Sequence, residues 1–327
     1  METFALQKAR RRSAVDVARL DRADLSVELG GLQLSNPVMP ASGCFGPELA
    51  PLLDSAGLGA VVTKTVFALE RSGNPAHRLT ETDSGMLNSV GIPSPGAEGF
   101  RAGLLRRYQQ LGPPVVVSIG GLYIEEYWEI AEALDGEDVA AFEVNVSCPN
   151  LEHGGITIGS SADMIGEVVA GVRERVEQPL WVKLTPTVVA IGEVARAAEA
   201  AGAAAITVCN SFPALAVDAF SRRSVLGKGG GLTGPAVKPL ALRLVRDAAA
   251  AVDIPVIGCG GITSAIDVVE FMIAGASAVQ VGTATFTRPD AMAQIISGLD
   301  PLCRRLGVQR LSDLVATLDS PVPDRSS

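Results

Sequence analysis

The feature that most constrains this chain is an alternation of short β-branched runs with longer amphipathic stretches, which begins after residue 36. The longer stretches are rich in Ala, Leu, Glu and Arg, as helices are, and the short runs are typical of buried strands. The pattern predicts strands at about 37–42, 60–65, 114–120, 141–147, 180–185, 204–210, 255–259 and 278–283. It predicts a helix after each strand, at about 47–57, 96–111, 123–135, 161–177, 189–202, 235–252, 264–275 and 289–306.

Eight βα units in one chain favour an α/β fold of the (β/α)8 or TIM-barrel type, in which helices cover every strand. The alternative is a doubly wound open sheet, which usually stops at about five to seven strands. Before the barrel, Leu25–Glu28 and Leu32–Leu34 flank a Gly-Gly turn, which predicts a β-hairpin that plugs the barrel bottom. The predicted organisation is an N-terminal tail (1–24), a single barrel domain (25–319) and a C-terminal tail (320–327).

Charge and cysteine content exclude several kinds of partner. A net charge of −9 argues against a nucleic-acid or anionic-membrane surface, since both need a basic face. The five cysteines are scattered without CxxC spacing and only two histidines are present, so no metal site is predicted. The first 25 residues contain no apolar signal core, and no apolar run is long enough to span a membrane, so we expect a cytoplasmic protein.

Two lysines lie near the carboxyl ends of strands that are otherwise apolar. Lys64 ends the second predicted strand and Lys183 ends the fifth, and neither strand contains an acid. Lysine is almost never fully buried without a partner. Each side chain could extend to solvent at the strand rim, but two lysines at corresponding strand ends favour an anionic ligand between them.

The fourth predicted strand carries polar residues into the barrel. By alternation, Glu143, Asn145 and Ser147 point inward. Cys148 follows, and Pro149 ends the strand, which puts the thiol on the following loop. A thiol there can act as a general base if its pKa falls from about 8.5 toward neutrality. We expect three other cysteines to be inert buried side chains, namely Cys209, Cys259 and Cys303.

Glycines end the last two predicted strands, where Gly260-Gly261 follows the seventh strand and Gly282-Thr283 follows the eighth. Glycine lets the backbone approach a ligand closely, and free N–H groups before a helix favour an anion, so we predict a phosphorylated ligand here. Segment 229–234 formally matches GxGxxG, but it does not join a strand to a helix in a Rossmann unit, so no direct NAD site is predicted there. Two long interruptions, 66–95 and 211–234, are predicted to be functional loops.

From Ala41 to Thr283 the sequence resembles the dihydroorotate dehydrogenase family, with each motif in order. The motifs are 41–46 (ASGCFG), 84–91 (SGMLNSVG), 145–150 (NVSCPN), 230–239 (GGLTGPAVKP), 258–261 (GCGG) and 275–285 (GASAVQVGTAT). The resemblance implies an FMN-dependent oxidoreductase that converts (S)-dihydroorotate to orotate in pyrimidine (UMP) biosynthesis. Orotate is an anionic ring rich in amide edges, which a lysine and several asparagines suit.

The resemblance also implies roles for individual residues, with Cys148 as the catalytic base. The residues implied to bind FMN are Ser42, Lys64, Thr65, Ser118, Asn145, Lys183, Cys209, Gly234, Gly260, Gly261, Gly282 and Thr283. Those implied to bind the pyrimidine are Lys64, Asn88, Ser89, Val90, Gly91, Ile92, Asn145, Asn150, Asn210 and Ser211. At Ser118 the sequence departs from the family, which tends to place an asparagine there.

The electron acceptor is the least constrained feature. A cysteine base resembles class 1 enzymes, and segments 84–91 and 230–239 resemble class 1B. That class implies a homodimeric core and a separate subunit, carrying FAD and a [2Fe–2S] cluster, that passes electrons to NAD. The alternatives are a fumarate-using class 1A enzyme, an FMN-dependent reductase of another dihydropyrimidine, and a catalytically silent FMN-binding barrel. Those reductases resemble NLSCPH, whereas this chain has NVSCPN, and their reactive cysteine has no counterpart in 154–159.

Overall fold

The computed structural model describes residues 22–52, 55–147 and 155–319. Its main sheet contains eight parallel strands: β1 (Val38–Pro40), β2 (Val61–Val62), β3 (Val115–Ile119), β4 (Ala141–Asn145), β5 (Leu180–Leu184), β6 (Ala205–Val208), β7 (Val256–Cys259) and β8 (Ala276–Val281). The order across the sheet is β1, β8, β7, β6, β5, β4, β3, β2. At the seam between β1 and β2, the Gly59 N–H donates to the Val38 carbonyl at 2.9 Å. The sheet is a nearly closed barrel, which confirms the predicted (β/α)8 fold.

Helices follow the strands as predicted. They span Gly96–Gly99, Phe100–Leu104 (a π-helical turn), Leu105–Gln109, Ile124–Leu134, Gly155–Ser160, Ala162–Arg173, Ile191–Ala200, Lys238–Ala249, Ala265–Ile273, Ala284–Thr287 and Ala291–Leu306. Short 3₁₀ helices span Pro47–Leu52, Ser55–Gly57, Pro235–Val237 and Leu311–Leu314. The helix predicted at 47–57 is therefore wrong, because Pro51 has no N–H to donate within that segment. Within the described ranges, no helix has both the length and the apolar character needed to cross a bilayer.

Strand β4 shows how the barrel separates apolar from polar side chains. Phe142 and Val144 are fully buried in the hydrophobic core. Glu143 and Asn145, which alternate with them, instead form hydrogen bonds with side chains from other strands or strand ends. The predicted inward direction of Glu143 and Asn145 is confirmed, and the barrel interior is polar near its carboxyl end.

The predicted N-terminal hairpin is present. Val27–Leu29 pairs with Leu32–Leu34 in antiparallel register. At the turn, Gly30 has φ +53°, and a Cβ atom there would lie 2.7 Å from the Ala204 carbonyl oxygen and 3.0 Å from the Trp181 indole nitrogen. Glycine is thus required both by conformation and by close approach. That the hairpin plugs the barrel stays a prediction.

The two long interruptions pair with each other. They form a four-stranded antiparallel sheet, here called the loop sheet, in the order Phe212–Ala214, Gly230–Thr233, Gly85–Asn88, Leu79–Thr82. Two shorter pairs join Glu70–Arg71 to Ser94–Pro95 and Val217–Asp218 to Arg223–Ser224. The GxGxxG-like segment is therefore mainly a strand of the loop sheet, and the absence of a direct NAD site there stays a prediction.

Candidate active site

A cavity opens at the carboxyl ends of the barrel strands, where barrels of this type place their active sites. It contains about 1190 Å³ of space free of protein atoms, including its open mouth. The loop sheet contributes Leu79, Met86, Asn88, Leu232 and Thr233 to its wall. Most of the predicted site residues line it: Ser42, Lys64, Thr65, Asn88, Val90, Gly91, Ile92, Asn145, Lys183, Cys209, Asn210, Ser211, Gly234, Gly260, Gly261, Gly282 and Thr283.

Two of the described site residues, Ser89 and Ser118, are not among those that line the cavity. Ser118 is fully buried, and its hydroxyl lies 2.9 Å from the Thr65 hydroxyl. The Ser89 hydroxyl accepts a hydrogen bond from the Asn74 side chain at 3.2 Å. Cys148 and Asn150 lie outside the described residues.

The glycine-rich ends of β7 and β8 present unpaired backbone donors to the cavity. The N–H groups of Gly260, Gly261 and Thr283 have no acceptor among the described residues. Gly260 and Gly261 have φ of +137° and +74°, which other residues rarely adopt. Unpaired N–H groups on a cavity wall form a favourable site for an anion.

Lys183 is held by a network inside the barrel. Its Nζ donates to Gln280 Oε1 at 2.9 Å and lies 3.8 Å from Glu143 Oε1. The second Glu143 oxygen accepts from Thr207 and from the Gln280 amide. Burial alone would lower the pKa of Lys183, but the adjacent Glu143 carboxylate outweighs it, so that pKa is raised. Lys183 is therefore a fixed cation.

Lys64 is held differently. Its side chain is partly buried, and it has no hydrogen-bonded or ion-paired partner within 22–52, 55–147 or 155–319. Burial, with added repulsion from Arg78, lowers the pKa of Lys64. A cationic side chain that faces a cavity without a protein partner is suited to bind an anion.

Asparagines and hydroxyl groups form a connected chain along the cavity wall. Asn145 donates to Thr65 Oγ1 at 3.0 Å, and its oxygen accepts from the Ser147 hydroxyl at 2.7 Å. The Asn210 amide donates to the Ser147 carbonyl at 3.1 Å. The Ser42 and Thr65 hydroxyls are 3.0 Å apart. These contacts fix the orientation of the Asn145 and Asn210 amide groups at the cavity wall.

Among the described residues, the thiols of Cys44, Cys209 and Cys259 line the cavity. Burial raises the pKa of Cys44 to about 12 and also raises the pKa values of Cys209 and Cys259. These thiols stay protonated near neutral pH and are poor bases. Cys209, Cys259 and Cys303 are buried, which confirms their predicted burial, while their inertness stays a prediction.

The sequence reasoning missed some functional neighbours. Gln280 and Thr207 contact Glu143 from distant strands, and local sequence carries no signal for either contact. Cys44 also lines the cavity. It belongs to the motif 41–46, but the resemblance implies no role for it. In the described part of the chain, no group of three or more His, Cys, Asp or Glu side chains could hold a metal ion.

The cavity of this α/β barrel combines unpaired amides after β7 and β8 with lysines and asparagines. This combination is typical of an enzyme site that is suited to an anionic ligand. Comparison with known proteins narrows this class. The family model described as dihydroorotate dehydrogenase matches residues 24–302. The chain belongs to the dihydroorotate dehydrogenase family, which is flavin-dependent, and the predicted family and oxidoreductase class are confirmed.

Individual relatives agree. A protein of Pelobacter propionicus is 45% identical over 91% of this chain and 99% of its own length. A protein of Desulforudis audaxviator is 45% identical over 89% and 96%, and one of Bacteroides fragilis is 43% identical over 91% and 99%. Each is named dihydroorotate dehydrogenase B (NAD(+)), catalytic subunit. The name "catalytic subunit" implies that these relatives act with another subunit.

Proposed function

We propose that this chain oxidises (S)-dihydroorotate to orotate, with FMN bound in the cavity at the carboxyl ends of the strands. The observation that carries the proposal is the set of unpaired N–H groups at Gly260, Gly261 and Thr283. They share one cavity with Lys64 and Asn145. A phosphorylated cofactor and an anionic, amide-rich substrate are the two ligands that such a cavity suits.

The residues present fit FMN. A Cβ at Gly260 would lie 2.9 Å from Ala241 Cβ in the core, and one at Gly282 would lie 3.3 Å from Cys44 Sγ, so both glycines are packed closely against neighbouring residues and leave their backbone amides at the cavity wall. The phosphate would be held by Gly260, Gly261, Gly282 and Thr283. The flavin ring would be held by Ser42, Lys64, Thr65, Asn145, Lys183, Cys209 and Gly234, with Ser118 acting through Thr65. FMN, when bound, supplies the hydride acceptor for C6 of dihydroorotate.

The substrate would be held by polar groups around the same cavity. Lys64 supplies the charge for the substrate carboxylate. The amide edges of the pyrimidine would meet Asn88, Ser89, Val90, Gly91, Ile92, Asn145, Asn150, Asn210 and Ser211. Because both Asn145 and Asn210 are fixed through Ser147, their amide groups are oriented before the substrate arrives.

Cys148 would accept the proton from C5 as the hydride leaves C6, so that the C5–C6 bond becomes double. Ser147 directly precedes it in sequence and is bonded to Asn145 and Asn210, which supports a role for Cys148 in the same site. The raised pKa values of Cys44, Cys209 and Cys259 favour Cys148 over these three thiols. A positioned base typically contributes about 100- to 10,000-fold.

Electrons would leave toward NAD through a partner. The names of the relatives support this route. The described residues offer no metal-binding group, and the GxGxxG-like segment is used in the loop sheet. The partner would be a subunit that carries FAD and a [2Fe–2S] cluster, docked on a homodimeric core of this chain.

The test is anaerobic mixing of the purified, flavin-loaded chain with dihydroorotate, followed by electron acceptors. Dihydroorotate should bleach the flavin absorbance, whereas dihydrouracil should not. NAD alone should leave the flavin reduced, and NAD with the FAD-containing subunit should restore its colour. Rapid turnover with fumarate alone would contradict the proposed acceptor, and bleaching by dihydrouracil in preference to dihydroorotate would contradict the substrate.

A further inference from the structure

The turn Gly260–Thr263, which lines the cavity after β7, does not fix its own conformation. Its two glycines have positive φ values, and their N–H groups have no acceptor among the described residues. Glycine gains the most conformational freedom of any residue when released. A turn of this kind binds an anion well only if neighbouring groups hold it in place.

Lys238 supports this turn from behind. It is the first residue of the helix Lys238–Ala249, and a Cβ on Gly261 would lie 2.8 Å from Lys238 Cβ and 2.9 Å from Lys238 N. The turn therefore lies flush against the start of this helix. Because these contacts are with the Cβ and backbone nitrogen of Lys238, the position of the helix start sets the position of the turn.

The Lys238 ammonium is bound by two carboxylates. Its Nζ donates to Asp267 Oδ1 at 2.6 Å and to Glu270 Oε2 at 2.8 Å. These hydrogen bonds raise the pKa of Lys238, and the one donated to Asp267 has the larger effect. The two carboxylates compensate the positive charge of the Lys238 ammonium. It is therefore not available as a free cation for a phosphate.

Asp267 completes the link to the turn. Its Oδ2 accepts from the N–H and hydroxyl of Thr263 at 2.8 and 2.9 Å, and from the N–H and hydroxyl of Ser264 at 2.9 and 3.0 Å. Its side chain is almost fully buried. Asp267 thus caps its own helix with one oxygen and holds Lys238 of the preceding helix with the other.

We propose that Lys238 and Asp267 are positioning residues that hold the Gly260–Thr263 turn in the conformation that binds the phosphate of the flavin nucleotide. The inference rests on the proposed FMN site. It assigns Lys238 no direct contact with the phosphate. The pair acts through the turn, so its contribution depends on the phosphate and not on the flavin ring.

Riboflavin, which lacks the phosphate, provides the test. Affinities of the full-length apoprotein for FMN and riboflavin are measured by flavin fluorescence in the wild type, Lys238→Met and Asp267→Asn. Lys238→Met keeps the apolar stem that packs on Gly261 and should weaken FMN binding by about tenfold, the usual scale for lost charge-assisted hydrogen bonds. Riboflavin affinity should not change. Glu270→Gln, which removes only the half-exposed partner, is the matched control and should have a smaller effect.

Asp267→Asn separates positioning from direct contact. If Lys238 acts only through the turn, Asp267→Asn weakens FMN binding. If FMN binding becomes tighter, the freed lysine contacts the phosphate itself and the proposal is overturned. Equal losses of FMN and riboflavin affinity, or no loss in Lys238→Met, would also overturn it. A wild-type protein that binds FMN no better than riboflavin would instead remove the FMN site on which the inference rests.

Discussion

The β5 side of the cavity presents a lysine that is already paired, whereas the β2 side presents one that is not. Lys183 is 4% exposed and lies within reach of Gln280 and Glu143. Lys64 is more exposed and has no partner among the described residues. Lys183 is the fourth residue of β5 and Lys64 follows β2 by two residues, and both segments are otherwise mostly apolar. The difference shows that the strands opposite each lysine, and not its own strand, decide whether protein or ligand satisfies its charge.

This comparison has an energetic consequence. A buried ion pair contributes little net stability, but removal of one partner leaves an uncompensated buried charge. Glu143 is fully buried, and one of its oxygens has no hydrogen bond in the structure. The β5 side therefore depends on Lys183 for folding, while the β2 side can lose its cation without exposing a buried charge.

The largest effect is expected from a substitution that changes neither lysine. Both lysines are protonated donors, so neither can accept the C5 proton. The proposed base is therefore Cys148. Cys148→Ala should slow flavin reduction by dihydroorotate by about 100- to 10,000-fold, measured by anaerobic stopped-flow absorbance. Cys44→Ala is the matched control: its pKa of about 12 makes that thiol a poor base. A loss in Cys44→Ala as large as that in Cys148→Ala would reject the assignment.

The next effect concerns stability. Lys183→Met should lower the free energy of unfolding by about 3–5 kcal/mol, because it strands the buried Glu143 carboxylate. Lys64→Met should change stability much less. Urea denaturation followed by circular dichroism measures both. The double variant Lys183→Met with Glu143→Gln should recover part of the loss, since the two sites interact directly. Equal destabilisation by the two lysine variants would abolish the distinction between the two sides.

Much of this architecture could be predicted from sequence because it is local. Strand ends fix where Lys64, Lys183 and the glycine pairs lie, and parallel strands bring their carboxyl ends to one edge. Alternation along β4 was sufficient to point Glu143 inward. The helix predicted at 47–57 failed for a local reason as well, the proline at position 51.

What could not be predicted depends on pairing between distant segments. The loop sheet joins residues more than 100 positions apart, as in the hydrogen bond from Asn88 to the Gly231 carbonyl. Gln280 reaches Glu143 across 137 positions. For Ser118, the resemblance implies a flavin contact, whereas its hydrogen bond with the Thr65 hydroxyl is visible only in three dimensions. The roles of Cys148 and Asn150 stay predictions.

A smaller effect is expected in ligand binding. Lys64→Met should weaken orotate binding by about 10- to 100-fold, the scale of a hydrogen bond to a charged group. Isothermal titration calorimetry of the flavin-loaded chain measures this change. Lys64→Arg keeps the charge and should retain part of the affinity. An orotate affinity unchanged in Lys64→Met would show that the β2 side does not bind the substrate anion.

The smallest effect is a pH dependence that distinguishes the two lysines. Burial and Arg78 lower the pKa of Lys64 below 10.5, whereas the network around Lys183 raises its pKa above 10.5. As pH rises toward 10.5, Lys64 loses its proton in the folded protein while the unfolded chain keeps it. Orotate affinity should therefore fall in this range, while the stability contribution of Lys64 rises.

Lys183 has the opposite sign. Its contribution to stability is fully present below 10.5 and is lost only as pH rises through its raised pKa. The measurement is the orotate dissociation constant from neutral pH to 10.5, in the wild type and in Lys64→Met. The alkaline loss of affinity should disappear in Lys64→Met, because Lys64 is the cation proposed to bind the substrate carboxylate. A loss that persists unchanged in that variant would place the titrating group elsewhere and would make Lys64 a fixed cation like Lys183.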